Sequence, residues 1–121
     1  MIVKVIIKRK VIKGKEKDFF PLLLKLRSEA MTQEGYIAGE TLIDPEDPNK
    51  VVIISKWESL DDWNKWKANI GREKIDALLN ELQEEQAEYE PYIFGKYRVA
   101  AVLGFPVNLQ TKSPAEEKAK E

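Results

Sequence analysis

The first element that the pattern of apolar and polar residues predicts is a β-strand over residues 2–12. Side chains alternate between the two faces of a strand, and here apolar residues fill one face while lysines mostly fill the other. The apolar residues are Val3, Val5, Ile7 and Val11, and the lysines are Lys4, Lys8 and Lys10. We therefore expect one face of this strand to lie against a core, and Gly14 to turn the chain after it.

A helix is predicted over residues 15–34, because apolar residues recur there at helical spacing. They are Phe19, Leu22, Leu23, Leu26 and Ala30. Gly35 is expected to end this helix, and two strands, one over residues 36–44 and one beginning at Val51, are expected to follow as a hairpin. The residues between these strands read DPEDPN, which are types that begin and hold turns.

A short helix carrying two tryptophans is predicted after the third strand. Ser59 is a good N-cap, and Asp61 and Asp62 would lie in the first turn, near the positive end of the helix dipole. Trp63, Trp66 and Ile70 are spaced to share one helix face, and Gly71 is expected to end the helix.

A third helix over residues 72–85 and a fourth strand over about residues 87–99 complete the predicted elements. The helix carries Ile75, Leu78, Leu79 and Leu82 at helical spacing, and the strand carries Tyr89, Tyr92, Phe94 and Tyr97. This order is typical of the α+β ferredoxin-like split βαβ fold, a four-stranded antiparallel sheet with the helices on one face. The other sheet face is also too apolar to be solvated, so we expect a second copy of the chain to cover it in a symmetric homodimer.

The length of 121 residues predicts one domain. Residues 1–98 hold the predicted fold, residues 99–110 form an apolar arm, and residues 111–121 are expected to be a disordered tail. The arm either clasps a partner subunit or extends the fourth strand on its own subunit, and the sequence leaves both interpretations open.

Charge and hydropathy argue against nucleic-acid and membrane partners. Lys and Arg total 20 against 21 Asp and Glu, for a formal charge of −1. The basic run Lys8, Arg9, Lys10 and Lys13 is interpreted as a solvated strand end. No apolar stretch approaches the roughly 18 residues of a membrane span, so a cytoplasmic protein is expected.

Cysteine and histidine are both absent from the chain. Their absence excludes disulfides, Cys-ligated zinc, iron–sulfur clusters, His-ligated haem, and Ser-His-Asp and Cys-His catalysis. It leaves Asp, Glu, Lys or Tyr as a general base. The glutamates at 81, 84, 85, 88 and 90 lack convergent spacing for a metal. We expect neither a metal site nor a cofactor.

Several short motifs together resemble the antibiotic biosynthesis monooxygenase (ABM) domain family of dimeric α+β barrels, over about residues 1–98. They are GYIAGETL at 35–42, DPEDP at 44–48, SKWES at 55–59 with Asp62, Trp63 and Trp66 after it, and EYE at 88–90. The resemblance implies a homodimer with a pocket in each subunit between sheet and helices. Some members are cofactor-independent oxygenases of polycyclic phenols or quinols, and others degrade haem.

Haem degradation is disfavoured for this chain. The haem-degrading members use an Asn, a Trp and a His, and the matching positions here are Ile7, Trp66 and Asp76, so the tryptophan alone agrees. A carboxylate at Asp76 does not replace a neutral imidazole as an axial haem ligand without different geometry and charge. Helical spacing places Asp76 on the solvated flank of its helix.

The predicted pocket residues are aromatic or can donate hydrogen bonds. Trp66 and Trp63 are expected either to line the bottom of a pocket for a flat aromatic ligand or to be ordinary core residues. The possible donors are Tyr36, Asn64, Asn69, Arg72 and Tyr92, and no catalytic residue is identified.

These observations lead to three hypotheses about function. The first is cofactor-independent oxygenation of a phenolic or quinol-type substrate. The second is a non-catalytic homodimer that binds a small aromatic or apolar ligand, and the third is assembly through the arm.

Overall fold

The structure is a computed structural model, and it describes residues 1–93. In chain order the elements are β1 (Val3–Lys10), α1 (Glu16–Ala30), β2 (Tyr36–Ile43), β3 (Lys50–Trp57), α2 (Leu60–Lys67), α3 (Ile70–Glu81) and β4 (Glu88–Ile93). The strands form one antiparallel sheet in the order β2-β3-β1-β4. The ferredoxin-like α+β fold is thereby confirmed. The predicted end of the fourth strand, the arm and the tail lie outside the described residues.

The inner face of the sheet, which the helices cover, is set by the alternation in β1 and β3. It carries Val3, Val5, Ile7 and Arg9 from β1, and Val51, Ile53, Ser55 and Trp57 from β3, all of them buried. The main core contacts from α1 are Phe19, Leu23, Leu26 and Ala30. Arg9 corrects the sequence interpretation: it is in register with the apolar residues of β1, so it points into the protein and not to solvent.

The boundary between the two helices after β3 lies at different residues from those predicted. Ser59 caps α2 as expected, its Oγ accepting the Asp62 N–H at 3.1 Å, but α2 ends at Lys67. Asn69 then caps a new helix, with its Oδ1 accepting the Arg72 N–H at 3.1 Å. Gly71 therefore lies inside the first turn of α3, and Ile70 is 71% exposed and not on the tryptophan face.

Gly35, just before β2, lies in close contact with the first turn of α2. Its φ of +82° lies in the region that favours glycine, and a Cβ at this position would overlap the Asp62 carboxylate. Its carbonyl accepts the Glu58 N–H at 2.8 Å. The glycine thus lets the hairpin pack closely against the helix that carries Trp63 and Trp66.

The outer face of the sheet, which the helices leave uncovered, carries two apolar cross-strand pairs. Ile6 lies opposite Ile54, and Leu42 lies opposite Val52. Leu42 is 46% exposed and the other three are half-buried. Within residues 1–93, no helix is long and apolar enough to cross a membrane.

Candidate functional site

A small cavity lies between the inner face of the sheet and helices α1 and α2. Its volume is about 50 Å³. A water molecule needs roughly 10–15 Å³ of such space, so the cavity has room for a few waters. Ile7, Leu23, Leu26 and Ile53 form its aliphatic wall, and the remaining walls are mainly aromatic and cationic.

The aromatic wall is centred on Trp57, which is fully buried. Its ring meets Tyr36 edge-on at 5.3 Å between centroids and lies nearly parallel to Trp66 at 6.4 Å, with Trp63 tilted at 6.0 Å. All four side chains line the cavity. The structure thus brings the predicted Trp63, Trp66 and Tyr36 together, and their contact with a ligand stays a prediction. Trp57 was missed, although its register with Ile53 in β3 already pointed it inward.

Tyr36 and Arg27 lie close together over Gly39. A Cβ at Gly39 would come within 2.5 Å of the Tyr36 hydroxyl and 3.4 Å of Arg27 Nε, so a larger residue here would require the Tyr36 side chain to shift. Arg27 donates a hydrogen bond to the Thr41 hydroxyl. Both Arg27 and Tyr36 are half-buried, and together with Gly39 they form the more accessible side of the cavity.

The cationic wall is provided mainly by Arg9, whose side chain is 1% exposed. Its Nη1 donates to Gln83 Oε1 at 3.0 Å, and its Nη2 donates to Asp76 Oδ1 at 2.8 Å. Its Nε is buried and has no hydrogen-bond partner among the described residues. The signal for Arg9 was available in the sequence, because it continues the inward positions of Val3, Val5 and Ile7.

Asp76 is the carboxylate that forms an ion pair with Arg9. The prediction that Asp76 lies on a solvated flank of its helix is wrong. Its side chain is only 15% exposed, and Oδ1 also accepts the Tyr89 hydroxyl at 2.8 Å. Arg72 donates to the Tyr89 oxygen and lies 3.7 Å from Asp76 Oδ2. Arg72 is therefore part of a buried polar network with Arg9. The sequence predicts Arg72 as a pocket residue, but it is not among the residues that line the cavity.

The network shifts the pKa values of its titratable groups. Burial alone would raise the pKa of Asp76, but the positive charge of Arg9 and the hydrogen bonds from Arg9 and Tyr89 outweigh it, so that pKa is lowered. Burial raises the pKa of Tyr89, and the charges of Arg9 and Arg72 oppose that rise only in part. Asp76 is thus ionised and Tyr89 is neutral at physiological pH.

Three of the predicted donors lie away from the cavity. Asn64 is exposed on α2, and Asn69 serves as the N-cap of α3. Tyr92 is 54% exposed and donates to Glu90 at 3.1 Å. None of the described residues that line the cavity is an aspartate, a glutamate or a lysine.

Residues 2–74, more than half of the chain, match the family model described as "Antibiotic biosynthesis monooxygenase". No curated protein matches the chain. Among solved structures, a conserved protein from Methanosarcina mazei Go1 is similar at a TM-score of 0.72 and 22% identity, covering 76% of this chain and 91% of that one. SnoaB, a cofactor-independent oxygenase from Streptomyces nogalater, is similar at a TM-score of 0.70 and 18% identity, covering 77% and 92%. The chain belongs to the antibiotic biosynthesis monooxygenase family.

Proposed function

We propose that the protein is a cofactor-independent monooxygenase of a phenolic or quinol-type substrate, and that the reaction takes place in the cavity beside Trp66. The observation that carries the proposal is the composition of the cavity wall. Three tryptophans offer flat apolar surfaces for an aromatic ring, and two guanidinium groups from Arg9 and Arg27 offer positive charge to an anion. Family membership and the fold shared with SnoaB support the same assignment.

The chemistry needs an electron-rich substrate anion. An anthrone-type CH₂ group loses a proton to water to give an enolate, which passes one electron to dioxygen. The resulting radical pair combines to form a carbon–oxygen bond, and the peroxide anion takes up a proton from water. Loss of water then leaves a ketone, so that R₂CH₂ and O₂ become R₂C=O and H₂O. The protein's part is to hold the ring on the tryptophans and to stabilise the enolate by positive charge.

A tricyclic substrate is larger than the cavity of about 50 Å³, so side chains must move to admit it. Tyr36 and Arg27 are the residues proposed to do so, because they are half-buried whereas Trp57, Trp63 and Trp66 are buried. The tryptophan wall would then stay in place while the more accessible side opens.

Oxygen uptake with anthrone tests the assignment directly. Trp66→Ala should lower the rate roughly tenfold or more, because it removes a stacking surface and widens the site, and about 1.4 kcal/mol of lost transition-state stabilisation is tenfold. Lys65→Ala, which changes an exposed residue on the same helix, should retain the wild-type rate. Circular dichroism would confirm that both variants fold. No oxygen uptake by the wild type across a panel of anthrones and quinols would contradict the proposal.

A non-catalytic ligand-binding protein is the second function that a specific observation favours. No carboxylate or lysine is among the described cavity residues, which leaves Tyr36 as the one candidate base among them. Differential scanning fluorimetry separates the two functions: a flavin, a quinone or haemin that raises the melting temperature, without oxygen uptake on any quinol, would favour simple binding.

We also propose that the protein is a homodimer that buries the outer face of its sheet. The pairs Ile6 with Ile54 and Leu42 with Val52 give that face an apolar stripe. Charged residues border the stripe and can remain at a polar rim. They are Lys8 opposite Val52, Glu40 opposite Ile54 and Glu90 opposite Ile6. A two-fold axis through the sheet would place this stripe against its own copy.

Ile54→Lys should convert the dimer into a monomer, because it places an ammonium group in the centre of the apolar stripe. Light scattering coupled to size-exclusion chromatography measures the change as a halved molar mass. Ile70→Lys is the matched control, since Ile70 is 71% exposed at the start of α3, and it should leave the mass unchanged. A wild-type protein that elutes as a monomer would refute the dimer.

A further inference from the structure

Positive charge exceeds negative charge around the cavity. Arg9 and Arg27 line it, and Arg72 lies behind Arg9 and contacts the same Tyr89 and Asp76. Among residues 1–93, Asp76 is the one carboxylate in an ion pair with Arg9 or Arg72, and Arg27 has no ion-pair partner. Since arginine stays protonated at physiological pH, the excess positive charge favours an anion in the cavity.

The buried Nε–H of Arg9 is a hydrogen-bond donor with a fixed direction, in addition to the positive charge. It is the buried side-chain group that lacks a hydrogen-bond partner in the described part of the chain. Buried donors seldom remain unpaired in folded proteins, and a guanidinium donor prefers an anionic acceptor. Because the Arg9 side chain lines the cavity, a ligand oxygen there is a partner of the right chemistry for this group.

The rest of the guanidinium is held by a side chain of α3 and by one that follows α3. Gln83, just after α3, fixes Nη1, while Asp76 of α3 fixes Nη2. Tyr89 of β4 supports Asp76 through the 2.8 Å hydrogen bond from its hydroxyl. The direction of the Nε–H is consequently set before a ligand arrives, so little ordering is needed on binding.

Ser55 provides a second donor on the same face of the sheet. Its Oγ accepts the Trp57 Nε1–H at 3.1 Å, which leaves the hydroxyl proton of Ser55 available to another acceptor. Ser55 is buried and lines the cavity with Arg9.

We propose that Arg9 is the residue that binds the anionic oxygen of the ligand, a phenolate or enolate, and that Asp76 and Gln83 are positioning residues that orient it. This inference rests on the proposed function in one respect, namely that the cavity beside Trp66 is the ligand site. It goes further in naming the group that distinguishes the ionised form of the ligand from the neutral one.

Binding of 4-nitrophenol tests the inference, because the phenolate absorbs visible light and the free phenol ionises near neutral pH. The wild-type protein should bind the phenolate roughly tenfold more tightly than the phenol, as expected for a charge-assisted hydrogen bond. A spectral titration against pH would show this as a pKa of the bound ligand about one unit below that of the free ligand. 4-Nitroanisole, which cannot ionise, should bind more weakly than the phenolate.

Two Arg9 variants and one control assign the preference to this residue. Arg9→Met should reduce the preference for phenolate to less than about twofold. Arg9→Lys keeps the charge and the pairing with Asp76 but lacks the Nε–H, so it should give an intermediate preference. Lys13→Met removes the charge of an exposed lysine just after β1, and it should leave the preference unchanged.

The wild-type titration can overturn the inference even if an Arg9 variant fails to fold. An unchanged or raised pKa of bound 4-nitrophenol would overturn it, as would no binding of the phenolate at millimolar concentration. Oxygen uptake is a separate measurement. A phenolate preference that depends on Arg9, without oxygen uptake on any quinol, would support this inference and contradict the oxygenase proposal. Oxygen uptake without such a preference would support the oxygenase proposal and contradict this inference.

Discussion

Trp57→Ala should lower the free energy of unfolding by about 3–5 kcal/mol, the range for removing a large aromatic side chain from a core. Trp57 is fully buried on β3 and contacts Tyr36, Trp63 and Trp66. Truncation would leave a void next to an existing cavity, and it would remove the donor that pairs with the Ser55 hydroxyl. Urea denaturation followed by far-UV circular dichroism, at one fixed protein concentration, measures the loss.

Two comparisons separate the loss of packing at Trp57 from a general effect of truncation. Trp57→Phe keeps most of the ring contacts and should be less destabilising than Trp57→Ala. Leu24→Ala removes an apolar side chain that is 64% exposed on α1, so it should change stability by less than about 0.5 kcal/mol. A loss below about 1 kcal/mol for Trp57→Ala would mean that the aromatic wall is not part of the stabilising core.

Much of the fold could be predicted because its determinants are local. Alternation in β1, the DPEDPN turn and the Ser59 cap each depend on a few neighbouring residues, and all correspond to observed elements. The boundary between α2 and α3 was predicted wrongly for a local reason as well. Both Asn69 and Gly71 are plausible signals there, and the side-chain oxygen of Asn69 begins a new helix before Gly71 can end the previous one.

The polar part of the site could not be predicted in the same way, because it joins residues far apart in the sequence. A helical wheel places Asp76 off the apolar face of its helix, and solvent is the usual environment for such a position. The wheel does not show that Arg9 of β1 lies 2.8 Å away, with Tyr89 of β4 beside it. Asp76 and Tyr89 taken singly have a surface interpretation, and only their contact with Arg9 identifies a buried network.

The volume of the cavity is a further property that the sequence does not determine. The spacing of Trp63 and Trp66 predicts that they share a face, and both indeed line the cavity. Whether that face encloses a ligand-sized space depends on how Leu23, Leu26 and Trp57 fill it, and small shifts of packed side chains change that volume.

Asp76→Asn should lower the free energy of unfolding by about 3 kcal/mol at neutral pH, since breaking a buried ion pair leaves an uncompensated charge. The amide nearly matches the carboxylate in shape, so the change isolates charge from packing. Arg9 would keep its positive charge at 1% side-chain exposure, and Arg72 would lie beside it without a counter-ion among the described residues. Asp61→Asn, the same substitution at an exposed site on α2, should lose less than about 1 kcal/mol.

The stability difference between wild type and Asp76→Asn should itself depend on pH, with a sign fixed by the lowered pKa of Asp76. A carboxyl whose pKa is lower in the folded state stabilises the protein above its unfolded pKa, and it loses that contribution as the pH falls through the folded value. The difference should therefore be constant near neutrality and shrink as the pH falls below roughly 5. Arg9 from β1, Arg72 from its own helix and Tyr89 from β4 face the carboxylate. Arginine and tyrosine side chains in general stay protonated in acid, so the carboxylate is the group expected to change. Urea titrations of both proteins across this range measure the difference, and one that grew as the pH fell would show that Asp76 is not held ionised by Arg9.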